Sequence, residues 1–564
     1  MYVSYIVDKD TSTLKVVERV NGQRQYREFP LILEYYIPSE TGRYRGYDGV
    51  RLDRQGFKNL QMFYNCKNNA IKNGVKTYEA NFNLANKVLY ERYSSSDVPV
   101  LHKSFIDIEC DRLGHENTTI KEMIEDANCP INAVSIYNNW EDRLYTLMLC
   151  PENLTIDEAR EIAGRYENTF VFIDEKDLLN SLILVLNDAD CISSWNGVAF
   201  DYPYIVRRIR AVLGKEKTKE LCLFGEEPLE KIITEQGQQH YEYTFSGKWL
   251  SDYLLLYKKH QTSVKESYKL DAIAEFELGD KKIDYSGLLD DLYRDDYGRF
   301  ILYNRQDTML VKRLEDKMQY IEIHNRQAHA IRCSLENTMG TVAWVDQAII
   351  NKAHDLGMKV PDVDLSKNKE YENIIPPGAY VASPKEPLVE HVFSYDINSL
   401  YPNTCIAINI SPETIVAQIK LEKTLPYLQK KIKDNDLWSK KTEQVPDWGK
   451  AWGGDDLWGT LEYQAVMNQT DDVLTLKLEK DGREVQLTAK QIYELVFNEN
   501  SNLSISGLGT LYRTDVDGLI PTIFTEWYIE RKKQKAKKEK YQEMLSGVSI
   551  TDEEFLKQLR QKLE

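Results

Sequence analysis

The spacing of apolar and polar positions changes character along the chain. Residues 1–7, 13–20 and 31–36 alternate or cluster β-formers, and Asn21-Gly22 is a hairpin signal. The first hundred residues therefore read as short strands and turns. From about 101 to 319, strands alternate with longer helical patterns, as in an α/β unit. Residues 104–110, 133–137, 145–149 and 191–194 are predicted strands, whereas 156–166, 175–189 and 204–213 carry helical spacing. A helix-rich connector covers about 320–368. Pro376-Pro377-Gly378 marks a break before another predicted strand, 390–396. Residues 430–460 are irregular, rich in Lys, Asp, Trp and Gly, and read as a surface insertion. The C-terminal stretch reads as two helices joined by Ser546-Gly547. Thr551 and Glu554 make a capping-box pattern, and Phe555, Leu559 and Leu563 form one apolar stripe.

Composition narrows the class. The 564 residues leave room for about three or four domains at roughly 150 residues each. Hydrophobic residues make up 42% and charged residues 29%, which excludes wholesale disorder. Lys and Arg number 72 against 89 Asp and Glu, a net charge of −17. That excludes a protein coated in basic surface but permits nucleic-acid binding through a local basic groove. Eight cysteines show no CxxC spacing, so a zinc ribbon or thioredoxin-like motif is not expected. The N-terminal MYVSYIVDKDTS carries charge where a signal peptide needs an apolar run, and no apolar stretch is long enough to span a bilayer. A soluble protein of a reducing cytoplasm, with no membrane partner, is the expectation.

Candidate chemistry begins in FIDIEC, where strand alternation puts Asp107 and Glu109 on one face and Ile106 and Ile108 on the other. Two carboxylates at i and i+2 repel each other, and a divalent cation relieves that repulsion. In SWNGVAFD, Asp201 stands near the N-terminus of a predicted helix, where its charge is favoured. In YNRQD, Tyr303 and Asp307 share a helix face. The order DIE, NGxxFD, YxxxD resembles the three exonuclease motifs of the DnaQ-like 3′–5′ exonucleases. That resemblance implies Asp107, Glu109, Asp201 and Asp307 as ligands of two divalent metal ions, Mg²⁺ or Mn²⁺. It implies Tyr303 as the residue that orients the attacking water, and Asn196 as a contact to the DNA strand.

A second constellation is FSYDINSLYP, residues 393–402, with one carboxylate before a sharp turn. It resembles motif A (DxxSLYP) of the family B DNA polymerases, and NISPETI at 409–415 is most similar to their T-even-like bacteriophage members. The resemblance implies Asp396 as a catalytic ligand of two metal ions, Ser399 and Leu400 as neighbours of the triphosphate, and Tyr401 as a steric gate against a 2′-hydroxyl. PGAY at 377–380 stands where the family's linker motif contacts DNA, which implies Gly378 and Tyr380 there. Residues 531–540 carry seven Lys or Arg and one Glu. Arg531 and Lys535, four apart on one helix face, are implied as a clamp on the incoming dNTP, while the remaining lysines read as solvated surface.

Motif B (KxxxNSxYG), motif C (DTD) and a thumb are not found. Thr514-Asp515-Val516-Asp517 mimics motif C but precedes the basic helix and reads as a turn. The resemblance thus implies an α/β and α+β multidomain fold. It comprises a β-rich N-terminal domain over 1–100 with 320–368 packing on it, and an RNase H-like (DnaQ-like) exonuclease domain over 101–319. A partial palm with motif A covers 369–517, and 518–564 form the first part of helical fingers. The expected function is the N-terminal subunit or fragment of a replicative DNA polymerase with proofreading exonuclease. It would act on primer-template and single-stranded DNA in the host cytoplasm. A second chain would supply motifs B and C and the thumb, and a sliding clamp is a further candidate partner. The alternatives are a standalone 3′–5′ DNA exonuclease with a degenerate polymerase remnant, and a non-catalytic DNA-binding assembly subunit.

Overall fold

Along the strand Lys103–Cys110, Ile106, Ile108 and Cys110 are buried while Asp107 and Glu109 are half-buried, so one face is closed along its length and the other opens at the two carboxylates. This strand is central in a six-stranded mixed sheet. The order is Thr169–Phe172, Arg143–Leu149, Ile131–Asn138, Lys103–Cys110, Cys191–Ser194, Trp249–Asp252. Lys103–Cys110 runs antiparallel to Ile131–Asn138 and parallel to Cys191–Ser194. Helices cover both faces. Glu175–Leu186 and Asp201–Leu213 bury Leu178, Leu182, Ile205 and Ile209 against Ile106 and Ile108. On the other face Ile156–Ala163 and Tyr297–Met318 enclose Ala133 and Met148 with Ala159, Phe300 and Tyr303. Each fully buried aliphatic side chain contributes about 1.5–3 kcal/mol, so the two cores fix the strand between two helical layers.

The chain is described here from a computed structural model, which covers residues 1–94, 98–115, 117–235, 238–261, 263–280, 282–283, 287–362, 391, 393–434 and 459–546. It divides into two compact units, Met1–Leu33 with Phe82–Gln347, and Glu34–Asn81 with Ala348–Glu564. The first holds the six-stranded sheet and a three-stranded antiparallel sheet, Tyr2–Asp8, Thr13–Val20 and Gln23–Pro30. Asn21 and Gly22 turn its second hairpin with φ of 50° and 78°, as the Asn-Gly signal predicts. Arg19 joins the two sheets: Nε and Nη2 grip Asp190 at 2.9 and 2.8 Å, and its guanidinium lies 4.6 Å from the Trp140 ring centroid. The Tyr2 hydroxyl donates to the Cys333 carbonyl at 2.9 Å, so the segment at Cys333 packs on the first strand.

The second unit holds a four-stranded sheet, in the order Met358–Lys359, Tyr44–Gly46, Arg51–Gly56, Glu34–Pro38. It also holds a five-stranded antiparallel sheet: Glu484–Thr488, Val473–Leu478, Ile415–Ile419, Thr510–Arg513, Leu503–Ile505. Helices Leu461–Met467 and Ala489–Phe497 cover the latter. The helix Leu519–Ser546 completes the described part. All eight cysteines are free, and among the described residues no helix is long and apolar enough to cross a membrane.

Two sequence expectations are corrected. The first hundred residues hold helices Leu60–Lys72 and Leu84–Arg92 as well as strands. Their N-caps Asn59 and Asn83 accept backbone N–H groups of Met62 and Ala85 at 2.9 Å each, so asparagine capping started helices that weak apolar periodicity did not reveal. The predicted strand at 390–396 is absent over residues 393–396, which pair with no strand among the described residues. A strand exists only by pairing, and none of the described strands lies alongside it. Gly378, Tyr380, the second C-terminal helix with its stripe, and most of the 430–460 segment lie outside the described residues.

Candidate metal centre

Three carboxylates meet on one face of the six-stranded sheet. Lys103–Cys110 supplies Asp107 and Glu109, Tyr297–Met318 supplies Asp307, and one oxygen of each lies within 4.8 Å of the other two. Asp201 is buried in the first turn of Asp201–Leu213, without a side-chain cap before it. Its charge acts on Asp107 and Glu109, but its oxygens fall outside the close set. Tyr303, one turn before Asp307, is buried too.

Three residues not singled out in the sequence hold this group. Lys282 Nζ pairs with Asp307 and donates to the Tyr303 hydroxyl at 3.2 Å. Asn304 Nδ2 donates to Asp107 Oδ2 at 2.8 Å. Asp252 accepts four backbone N–H groups: Oδ1 takes Asn196, Leu254 and Leu255 at 3.1, 2.9 and 3.3 Å, and Oδ2 takes Val198 at 3.2 Å. It thereby caps the helix Tyr253–His260 and fixes the turn that carries Asn196 at φ 66°. Gly197 allows the turn to close, since a β-carbon there would fall 1.7 Å from Ser194 Oγ. Trp195 Nε1 anchors the same turn on the Tyr268 carbonyl at 3.2 Å. Asn196 is exposed and lines, with Asp107, Trp195, Tyr268 and Lys282, an open cavity of about 580 Å³. Two signals could have found the supports: an Asp before an apolar helical run for Asp252, and a place inside the YxxxD motif for Asn304. Lys282 carries none, because only the tertiary fold brings it to Asp307.

Burial dominates the electrostatics and raises every carboxyl group of the set. Asp107 is pushed well above the carboxylate range by burial, then by Asp307, Glu109 and Asp201, with Lys282 opposing. Glu109 rises to about 8 from burial and from Asp307. Asp201 rises to about 7, mainly from burial, although backbone N–H groups restrain it. Asp307 is raised by burial against the pull of Lys282. Burial disfavours the Lys282 ammonium, but Asp307 and Asp107 outweigh it and hold the charge in place. Such a site prefers added positive charge, either protons or a cation. The donors are all oxygens, and Asp307 Oδ1 is buried with no hydrogen-bond partner, so the residues fit a hard divalent ion such as Mg²⁺ or Mn²⁺.

The second constellation is arranged differently. Asp396 is exposed, belongs to no acidic cluster among the described residues, and sits between exposed Tyr395 and Ile397. Ser399, at φ 52°, is the N-cap position of the helix Leu400–Ala407, and Leu400 and Tyr401 are exposed at its start. Arg531 and Lys535 lie exposed on Leu519–Ser546, where Lys535 is 3.8 Å from Glu539. NISPETI anchors that helix. Asn409 Oδ1 accepts the Gly518 N–H at 2.9 Å, Ser411 Oγ accepts that of Ile520 at 3.3 Å, and Glu413 accepts that of Leu519. A carboxylate among the first N–H groups is favoured by their unpaired donors and by the helix dipole. Residues 514–517 form the bend before it.

Comparison with known proteins bears on both constellations. Residues 59–273 match a family model described as DNA polymerase family B, exonuclease domain, and 331–447 match one described as DNA polymerase family B. A DNA-directed DNA polymerase of Escherichia phage RB69 is 27% identical over 321 residues, covering 54% of this chain and 35% of that protein. One of Enterobacteria phage T4 is 25% identical with the same coverage, and a DNA polymerase of Paramecium bursaria Chlorella virus NY2A is 26% identical over 45% of this chain and 30% of its own length. The chain thus spans about a third of the length of these curated relatives.

Proposed function

The chain belongs to the family B DNA polymerases, and we propose that it is the N-terminal, exonuclease-bearing part of such an enzyme, as in a split phage polymerase. The observation that carries this reading is the convergence of Asp107, Glu109 and Asp307 with Tyr303 beside a cavity lined by Asn196. The reaction is hydrolysis of the 3′-terminal phosphodiester of single-stranded DNA. Asp107, Glu109, Asp201 and Asp307 would hold two divalent cations, which supply Lewis-acid stabilisation of the attacking and leaving oxygens. The chain's own part is positional. Lys282 pins the Tyr303 hydroxyl, which orients the attacking water; Asn196, held by Asp252, meets the DNA strand. A 3′ end must leave its duplex to enter the cavity, where aromatic and backbone contacts retain it.

In this reading residues 101–319 are an RNase H-like exonuclease domain, and 1–100 with 320–368 are a β-rich N-terminal domain. Residues 369–517 are part of a palm and 518–564 the first part of the fingers. Asp396 would bind metal, Ser399, Leu400, Arg531 and Lys535 would face the dNTP, Tyr401 would gate its sugar, and Gly378 and Tyr380 would meet DNA. Primer extension would need a second chain with motifs B and C and a thumb. A sliding clamp is a further partner, and the host cytoplasm the place. One observation favours a narrower reading, a standalone exonuclease: Asp396 is exposed and has no second carboxylate beside it among the described residues. The assembled carboxylates argue against a purely architectural subunit, which has no use for them.

The test is metal dependence. The chain stripped with EDTA should leave single-stranded DNA intact, and Mg²⁺ or Mn²⁺ should restore 3′–5′ digestion. Digestion without divalent ions would overturn the reading. Co-expression with a chain bearing KxxxNSxYG and DTD should add primer extension; if the two chains do not associate, the split reading fails and the standalone one stands.

A further inference from the structure

Asn304 lies inside the helix Tyr297–Met318, between Tyr303 and Asp307, and is 0% exposed. Its Nδ2 donates to Asp107 Oδ2 at 2.8 Å and reaches the Asp107 carbonyl at 3.3 Å. Its Oδ1 is buried with no hydrogen-bond partner. An amide placed only to satisfy a core would use both ends. Seated the other way round, the same amide would press its oxygen on the Asp107 main-chain carbonyl and, once a cation ionises Asp107, on a carboxylate, so Asp107 dictates the orientation. The donor is therefore committed to Asp107 although the acceptor goes unused. The contact also spans from the helix that supplies Asp307 to the strand that supplies Asp107 and Glu109.

We infer that Asn304 is a positioning residue of the metal centre: its amide fixes the Asp107 carboxylate and thereby sets the affinity for divalent cations. The inference rests on the metal-dependent exonuclease reading. A carboxylate held by one donor keeps a single orientation when a cation arrives, and outer partners of this kind are worth about 10–100-fold in metal affinity or activity. Asn304 touches neither DNA nor the cation in this role; it acts through Asp107.

The test is calorimetric titration of Mn²⁺ into the EDTA-stripped full chain, without DNA. Asn304→Leu keeps most of the volume and removes the donor, and Asn304→Ala removes both. Each should bind Mn²⁺ about 10–100-fold more weakly than the unmodified chain, with circular dichroism unchanged. Unaltered Mn²⁺ affinity in both variants would overturn the inference. So would failure of both to fold, because the contact would then serve the fold and not the centre. Asp107→Ala is the control: if it too binds Mn²⁺ normally, the metal reading itself fails, whereas loss in Asp107→Ala alone refutes only the role of Asn304.

Discussion

At Gly197 a hydrogen stands where any other residue would set a carbon 1.7 Å from Ser194 Oγ and 3.0 Å from the Tyr202 ring. Rotating the Ser194 hydroxyl away would not suffice, as Ser194 Cβ itself lies 3.1 Å from that carbon and the buried Tyr202 is tethered to the Ser251 carbonyl at 2.8 Å. Gly197→Ala should therefore destabilise the chain by about 1–3 kcal/mol, the usual range for overpacking, and lower its urea midpoint. An unchanged midpoint would show that the turn can relax. The residues of the site were unevenly legible. Asp107 and Glu109 were readable because alternation with Ile106 and Ile108 sets them on one face, and Asp201, Tyr303 and Asp307 because they sit in recurring motifs. Lys282 was not, since its pairing with Asp307 exists only in the folded chain. Asp252 was legible only as an Asp before an apolar helical run, which marks a cap but not its bonds to the distant Asn196 and Val198 N–H groups.

Elements were legible where periodicity was strong. The strand Lys103–Cys110 and the helix Glu175–Leu186 fall close to their predicted spans, and both pack an apolar face into one core. Elements started by caps, such as Leu60–Lys72 and Leu84–Arg92, were missed because two asparagines carry the signal. The reverse error is the stretch 393–396, β-rich in composition yet unpaired. The helix Leu519–Ser546 shows how a motif can serve an element. Asn409 accepts from Gly518 and donates to the Arg513 and Val516 carbonyls at 2.6 and 2.8 Å. Asn409→Ala removes all three bonds and leaves buried groups unpaired, a loss of about 1–3 kcal/mol. Amide exchange at residues 519–522 should accelerate, with exchange in the Lys103–Cys110 strand unaffected; equal rates at 519–522 would contradict the anchoring.

For the whole molecule, the carboxylate set links stability to pH and to metal. Ordinary Asp and Glu lose their protons near pH 4, whereas folded Glu109 holds its proton to about 8 and Asp201 to about 7. The folded state therefore binds more protons than the unfolded one across that window, and the stabilisation, full below about pH 4, is lost as pH rises through about 7–8. Lys282 stays charged throughout, since its pKa is raised. His260, His324 and His329, held neutral by burial, push the other way as pH falls below about 6.5, so the contribution of the set is read as a difference. From pH 5 to pH 8 the metal-free chain should lose more melting temperature than Glu109→Gln does, and Mg²⁺ should raise the melting temperature of the unmodified chain more at pH 8, where it no longer competes with protons. An equal change in both chains would contradict the shared burial of the set. The same carboxylates carry the central claim, that this chain alone cuts DNA from the 3′ end with divalent metal. Digestion of a 5′-labelled single strand in Mg²⁺ measures it most directly. The unmodified chain should give a ladder shortening from the 3′ end, and Asp107→Ala should lower the rate by more than about 100-fold, beyond what loss of an outer partner costs. Digestion by Asp107→Ala at the unmodified rate would contradict the account.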